Sequence, residues 1–417
     1  MPAFAPRWKP HLNPPNDSAP QPLAGYRVLE LGSTVAGPFC GRLLADFGAE
    51  VIKVEPPEGD PVRTMGKQYR GKSLYAASIF RNKSLMCVDL RTDEGRDVVR
   101  DIASRCDAII ENFRPGALEK WGLGYETLSA LNPKLVMVRI SGFGQSGPYS
   151  QRAGYGVIGE AVSGLRHITG DPDRPPARVA VSMTDYITGL YAAFGALMAL
   201  LARERTGRGQ CIDAALYECA FSLMEPWIPA YEKLGHVATR TGSRLPESTP
   251  NNLYPTADGD NIHITAMSDA IFRRLAQAMD EPALASDPRF ATAIARSQSH
   301  EALDAAIARW TSSLSLEAVE RALERHDVPA TRIFTMADIF RDPHYRARGS
   351  IVDAPDDDLG SVAMAAVVPR LTATPGKVRH AGHRVGQDTS RILASVLDYP
   401  QARIDALEAC GAIACSR

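Results

Sequence analysis

The chain reads as an α/β protein: a doubly wound parallel sheet with a smaller α+β domain. Three observations predict this. Strand and helix patterns alternate from residue 25 to 140, as in a parallel sheet with crossover helices. A long apolar helix, Tyr186–Arg203, then leads to a further strand at Gln210–Ala214. Beyond it, 236–252 shifts to Gly, Arg, Ser, Thr, Pro and Asn, a linker composition, and a hairpin and three helices follow. At 417 residues the chain can bury two cores.

Taken in order, Tyr26–Leu31 is the first strand. Pro38 suits a first helical turn, and the helix Phe39–Phe47 ends at Gly48. Val51–Val54 is the second strand, with Glu55 at its end. The pattern continues with a strand at Leu85–Leu90, an amphipathic helix at Glu94–Arg105 and a strand at Ala108–Glu111. Asn112–Gly116 is a turn, Leu118–Trp121 a short helical stretch, and Leu135–Ile140 a strand. Val179–Val181 reads as a short strand before the long helix, and Leu216–Leu234 as a helix after it. Tyr254–Ile264 is a hairpin about Asp258-Gly259-Asp260. Helices at 269–279, 298–311 and 315–326 complete a small α+β domain over 245–330. Residues 336–348 are helical, Asp353–Leu359 is an acidic turn and Val362–Leu371 forms strands. Helices Thr389–Leu397 and Gln401–Cys410 close the chain.

A formal net charge of −1 gives no global attraction to nucleic acid or anionic membrane. The seven cysteines form no C-x-x-C pair and read as reduced thiols of a cytoplasmic protein. The nine histidines show no metal spacing, so no metal is expected. Residues 1–23, rich in Pro and polar residues, read as a flexible extension without the apolar core of a signal peptide. The helix at 186–201 is apolar on most of its surface, with Gly189, Ala192, Ala193 and Ala196 small enough for close packing. It falls short of a membrane span and reads as a buried core helix.

Asp185 stands at the start of that helix. A helix-start Asp can be a cap, its oxygens accepting free amides. It can also be a nucleophile, which gains from positioning and lost water rather than from a lowered pKa. Gly142-Phe-Gly-Gln-Ser-Gly147 matches G-x-G-x-x-G after a strand, but no apolar helix follows, so its glycines let the backbone approach something other than a nicotinamide dinucleotide. Glu55 reads as a solvated strand-end carboxylate or a ribose partner. Asn82-Lys83, Arg91, Arg114 and Lys120 make either a solvated basic face or a cradle for a phosphorylated cofactor, with amides of Val35-Ala36 and Asn112-Phe113 adding donors.

Several stretches together resemble the class III coenzyme A transferases, the group of formyl-CoA and carnitine-related CoA transferases. They include Leu-Ala-Gly-Tyr-Arg-Val-Leu-Glu-Leu (23–31), Ala-Asp-Phe-Gly-Ala-Glu-Val-Ile-Lys-Val-Glu (45–55) and Arg-Asn-Lys-Ser (81–84). Glu-Asn-Phe-Arg-Pro-Gly (111–116), Ser-Gly-Phe-Gly-Gln-Ser-Gly-Pro-Tyr (141–149), Thr-Gly-Arg-Gly-Gln (206–210), Asp-Pro-Arg-Phe (287–290) and Gly-Ala-Ile (411–413) extend the likeness over 24–413. The resemblance implies an interlocked homodimer with a Rossmann-like large domain, 24–228 plus 335–417. A linker at 229–244 and a small domain at 245–334 complete the implied organisation.

It also implies that Asp185 is the catalytic nucleophile, passing through an aspartyl–acyl anhydride and an aspartyl-CoA thioester. CoA contacts carry over to Val35, Ala36, Val88, Asp89, Leu90, Arg91, Asn112, Phe113, Arg114, Lys120 and Tyr155. Coenzyme A serves as co-substrate; the partners are an acyl-CoA and a small carboxylic acid. Pro56 stands where some members carry an Arg, Gly156 where an acidic residue is common, and Asp388 where a His is frequent. The related α-methylacyl-CoA racemases, the alternative on this scaffold, typically place a His where this chain has Tyr155, so a two-base racemase would lack one partner. The runs 161–170 and 181–185 resemble members using succinyl-CoA with dicarboxylates. A second substrate carboxylate calls for an Arg, and Arg70, Arg166 and Arg178 are the candidates.

Overall fold

The structure, a computed structural model, describes residues 20–416. The expected extension therefore lies outside the described residues up to 19. Its last residues are docked: Gln21 donates to the Asp46 carbonyl at 3.2 Å, and Leu23 is buried.

The main sheet has seven strands: β1 (Arg27–Glu30), β2 (Glu50–Glu55), β3 (Ser84–Val88), β4 (Ala108–Glu111), β5 (Val136–Ser141), β6 (Cys211–Ala215) and β7 (Ile413–Ala414). Their order is β7-β3-β2-β1-β4-β5-β6. All neighbours are parallel except β7, which runs antiparallel on β3 with Ile413 opposite Val88. β1 lies between β2 and β4, with Val28 opposite both Val51 and Ala108. The chain therefore builds outward in one direction through β2 and β3, then crosses to the other side of β1. The ends of β1 and β4 part at this reversal and leave a crevice, where such sheets bind ligands.

The inner strands are near-continuous apolar runs because both faces are covered. One face packs on α2 (Asp93–Ser104) and the two C-terminal helices, through Val98, Val99, Ile102, Ile392 and Leu393. The other face packs on α1 (Ala36–Asp46) and α3 (Met183–Thr206).

The expectation of an all-round buried helix fails for α3. Its small residues, Gly189, Ala192, Ala193 and Ala196, face the core, while Leu190, Phe194 and Leu201 are 58–59% exposed. A Cβ on Gly189 would lie 2.8 Å from the Ala36 carbonyl oxygen, so the small face exists to let α1 and α3 approach closely. The bulky residues are left on the opposite side.

Three local expectations also change. Val179–Val181 forms no strand. The predicted 216–234 helix is divided into Leu216–Phe221, a 3-10 turn and Trp227–Leu234, with Pro226 at the break, where a proline cannot continue the hydrogen-bond ladder. The predicted acidic turn at 353–359 is mostly strand, Ile351–Asp356, paired antiparallel with Gly360–Ala365. Asp353 and Asp356 lie on the first strand of this hairpin, and the turn itself is shorter than expected, keeping Asp357, Asp358 and Leu359.

The chain divides into two compact units. The first runs to Leu165 and includes Val179–Glu225 and the chain from Ala347; the second comprises Arg166–Arg178 and Pro226–Arg346. The second unit holds a three-stranded antiparallel sheet, with Asn261–Thr265 between Asn251–Pro255 and Ala330–Arg332. Phe272, Leu275, Leu303, Ile307 and Val319 form its core. The segment 166–178 joins this unit, and the unit's borders at 226 and 346 differ from those expected at 245 and 334. Local composition marks loops, not which body a loop packs on.

The close α1–α3 contact sets a stability test. Gly189→Val should destabilise the protein by about 1–3 kcal/mol, the usual range for overpacking. An unchanged urea midpoint would show that the two helices have room to spare.

Candidate active site

The loop after β1, Gly32-Ser33-Thr34, is fixed by side chains from three directions. Lys53 on β2 donates to the Gly32 carbonyl at 2.6 Å. Asp60, just beyond β2, accepts from the Thr34 amide at 3.0 Å and pairs with Lys53 at 2.9 Å. Asn112, just after β4, accepts from the Ser33 amide at 2.7 Å and donates to the Ser33 carbonyl at 2.8 Å. Thr34 sits at φ +68°, in the left-handed region, and these bonds hold it there. Burial pushes the Asp60 carboxyl up, but the Lys53 ammonium and the amides of Val62 and Thr34 outweigh it and keep it below the usual carboxylate range.

Two members of the expected cationic cradle are instead structural. Lys83 is fully buried, donating to Glu30 at 2.6 Å and to the Pro38 carbonyl at 2.7 Å. Asn82 donates to Asp46 at 2.7 Å. Glu55 is neither solvated nor open to a ribose: it is fully buried and takes two bonds of 2.6 Å from Arg63. A strand-end charge can turn inward when a partner waits there, and local sequence does not show the partner.

Two adjoining cavities share Ser33 and Phe113. The first, about 230 Å³, brings together Val35, Ala36, Asn112, Phe113, Arg114, Tyr155 and Asp185. The second, about 250 Å³, brings Val88, Asp89, Leu90 and Arg91 together with Lys53 and Pro56. Each is smaller than a typical pocket for a drug-sized ligand, so an extended ligand would need both. Arg91 is exposed and paired with Asp89 at 2.7 Å and Glu58 at 2.9 Å. Lys120 stands apart: it is exposed at the end of the short helix Ala117–Lys120 and lines neither cavity.

Asp185 is the third residue of α3. The N-cap position belongs to Ser182, whose side chain makes no capping bond. The Asp185 carboxylate instead lies against Gly156: a Cβ there would meet its Oδ2 at 2.0 Å. Glycine at 156 is thus a condition for the carboxylate's position. Beside it, the Tyr186 hydroxyl lies 3.0 Å from that of Tyr75. Burial, the bond from Tyr186 and the negative charge of Asp185 all push the Tyr75 phenol up, so it keeps its proton. The first cavity therefore sets the Asp185 carboxylate together with the exposed guanidinium groups of Arg114 and Arg152, with the protonated Tyr75 phenol near the carboxylate.

The glycine loop at 142–147 serves this chain's own backbone. Gly142 presses on Gly154, where a Cβ on either would come within 2.8 Å of the other's Cα. Both line the first cavity. Of the candidate arginines, Arg70 is exposed over the Tyr69 ring at 5.3 Å, and Arg166 and Arg178 belong to the second unit. Sequence reasoning missed Tyr75 and Arg152, which carry no local signal, and the structural use of Lys53 and Asp60. It noted Gly156 only as a departure from family pattern. Among the described residues, no group of three His, Cys, Asp or Glu could hold a metal ion.

Gly156→Ala should leave the fold intact and displace the Asp185 carboxylate, lowering any Asp185-dependent turnover by about 100-fold, the cost of roughly an ångström of misplacement. Turnover within twofold of the parent, with unchanged thermal stability, would show that the carboxylate's seat is not used.

Residues 23–389 match the family model described as CoA-transferase family III. A succinyl-CoA–D-citramalate CoA-transferase of Chloroflexus aurantiacus is 50% identical over 392 residues, covering 94% of this chain and 98% of that one. A succinate–glutarate CoA-transferase of Agrobacterium fabrum is 37% identical, covering 90% and 96%. Among solved structures, a CAIB/BAIF family protein from Brucella suis superposes with a TM-score of 0.81 at 36% identity, covering 91% of this chain and all of that one. With the switch-point crevice, the paired cavities and these relatives in agreement, the chain belongs to CoA-transferase family III and is a class III CoA-transferase.

Proposed function

We propose that this enzyme moves CoA from succinyl-CoA to a second dicarboxylic acid, with Asp185 as the covalent nucleophile. The observation that carries the reading is the seat of Asp185: a half-buried carboxylate in the cavity that adjoins the one formed by Val88–Arg91. The relatives named above, which use succinyl-CoA or succinate with citramalate or glutarate, support the substrate class.

The Asp185 oxygen attacks the thioester carbonyl; the C–S bond breaks and CoA leaves as thiolate, giving a mixed anhydride. The thiolate attacks the aspartyl carbonyl and expels succinate, giving an aspartyl-CoA thioester. The acceptor carboxylate attacks that thioester and releases the thiolate again. The thiolate then takes the acceptor's acyl carbon and restores the Asp185 carboxylate. No net proton moves, which fits a site whose Tyr75 phenol stays neutral.

The same reading includes a homodimer. The exposed side of α3 forms an apolar groove with Leu43, Phe47, Val368 and Leu371, through Leu190, Phe194 and Leu197. A contiguous apolar groove of this kind marks an interaction surface, and a second copy is the occupant we assign.

Two measurements test these points. Incubation with succinyl-CoA followed by hydroxylamine should place a hydroxamate on the peptide holding Asp185, and Asp185→Ala should abolish both trapping and transfer; retained transfer would sink the nucleophile assignment. In solution, light scattering should give twice the 45.1 kDa chain mass. Leu190→Asp with Phe194→Asp should reduce it to one chain, whereas a monomeric parent would refute the homodimer.

A further inference from the structure

The first cavity contains two cationic side chains, Arg114 and Arg152, and one anionic side chain, Asp185. The two arginines differ in setting. Arg114 follows Phe113, which walls both cavities, so it lies along the route a ligand spanning them must take. Arg152 lies in the loop that leads to Tyr155 and lines only the first cavity.

We infer that Arg152 reads the distal carboxylate of the dicarboxylic substrates, the carboxylate that takes no part in transfer; this rests on the transfer reading above. The Arg152 guanidinium carbon lies 3.5 Å from the centre of the Tyr149 ring. Tyr149 is itself placed edge-on against Phe143, at 5.8 Å. The aromatic face holds the guanidinium plane and leaves its edge donors available, the arrangement that favours a two-pronged bond to a carboxylate. Among the described residues, the Arg152 side chain makes no ion pair, unlike Arg63, Arg81, Arg91 and Arg139, which are all committed to carboxylates.

The chemistry requires such a group. The transferred carboxyl must reach Asp185 as an electrophile, while the second carboxylate of the same acid is repelled by the Asp185 charge. A cation in the same cavity holds that second charge away from the nucleophile. It also separates dicarboxylic from monocarboxylic acids, because a monocarboxylic acyl group leaves the guanidinium without a partner.

The test compares acyl donors on Arg152→Gln and Arg152→Lys. With succinyl-CoA, kcat/KM should fall about 10- to 100-fold in Arg152→Gln, the scale of a lost charge-assisted bond. With butyryl-CoA, which has no distal carboxylate, kcat/KM should change less than about twofold or rise, and Arg152→Lys should recover part of the succinyl-CoA loss. Affinity for free CoA should be unchanged. Equal losses with both donors, or no loss with succinyl-CoA, would overturn the assignment while leaving the transfer reading in place. Absence of transfer from succinyl-CoA by the parent enzyme would instead overturn the transfer reading, and this inference with it.

Discussion

The Lys53–Asp60 pair beneath the β1 loop is the interaction on which the rest depends. Both residues are at most 2% exposed, in a position where an unpaired charge would be prohibitively costly. Lys53 meets Asp60 at 2.9 Å and Glu30 at 3.5 Å, while Lys83 closes on Glu30 at 2.6 Å. The negative charges around Lys53 overcome the effect of burial and hold its ammonium protonated; for Lys83, burial prevails and lowers its pKa. The cluster fixes both sides of one short loop, and that loop walls both cavities. Replacing such a pair with apolar residues can leave stability unchanged. Here its visible product is position: Asp60 holds the Thr34 amide and Lys53 holds the Gly32 carbonyl toward β2.

Asn112 extends this control across the sheet reversal. It reaches from the end of β4 to the Ser33 backbone with a donor and an acceptor, so the two loops that flank the crevice are tied at a single residue. Ser33 and Asn112 are 79 residues apart in the chain. The site is thus assembled late in sequence but at a point where the topology requires the strands to diverge.

Much of this was legible in the sequence, and the omissions have a common cause. The strands of the large sheet and the hairpin about Asp258–Asp260 follow from apolar runs and turn residues. Periodicity reports how apolar a surface is, not which side of it faces the core. On α3 the bulky apolar residues are Leu190 and Phe194, but packing is set by Gly189 and Ala192, because the closest neighbour is another helix backbone. Charge has the same ambiguity. Lys83, Glu55 and Arg91 all lie at strand ends, yet two are sealed inside and one is in water. Asp185 is the sharpest example. Helix-start statistics describe it as a cap, whereas its carboxylate is aligned by the missing side chain of Gly156, a residue distant in sequence.

The contact between Gly142 and Gly154 acts as a neck. It closes the loop between them on itself and joins Ser141 and Tyr155 into one wall of the first cavity. Everything inside the neck, including Phe143, Tyr149 and Arg152, hangs from a fixed frame. Such a loop can exchange its contents, and even its length, without shifting the Asp185 carboxylate or the loops after β1 and β4. On the reading proposed above, the neck separates two tasks, holding the reacting carboxylate and choosing the acid, so that the second can change while the first stays in place.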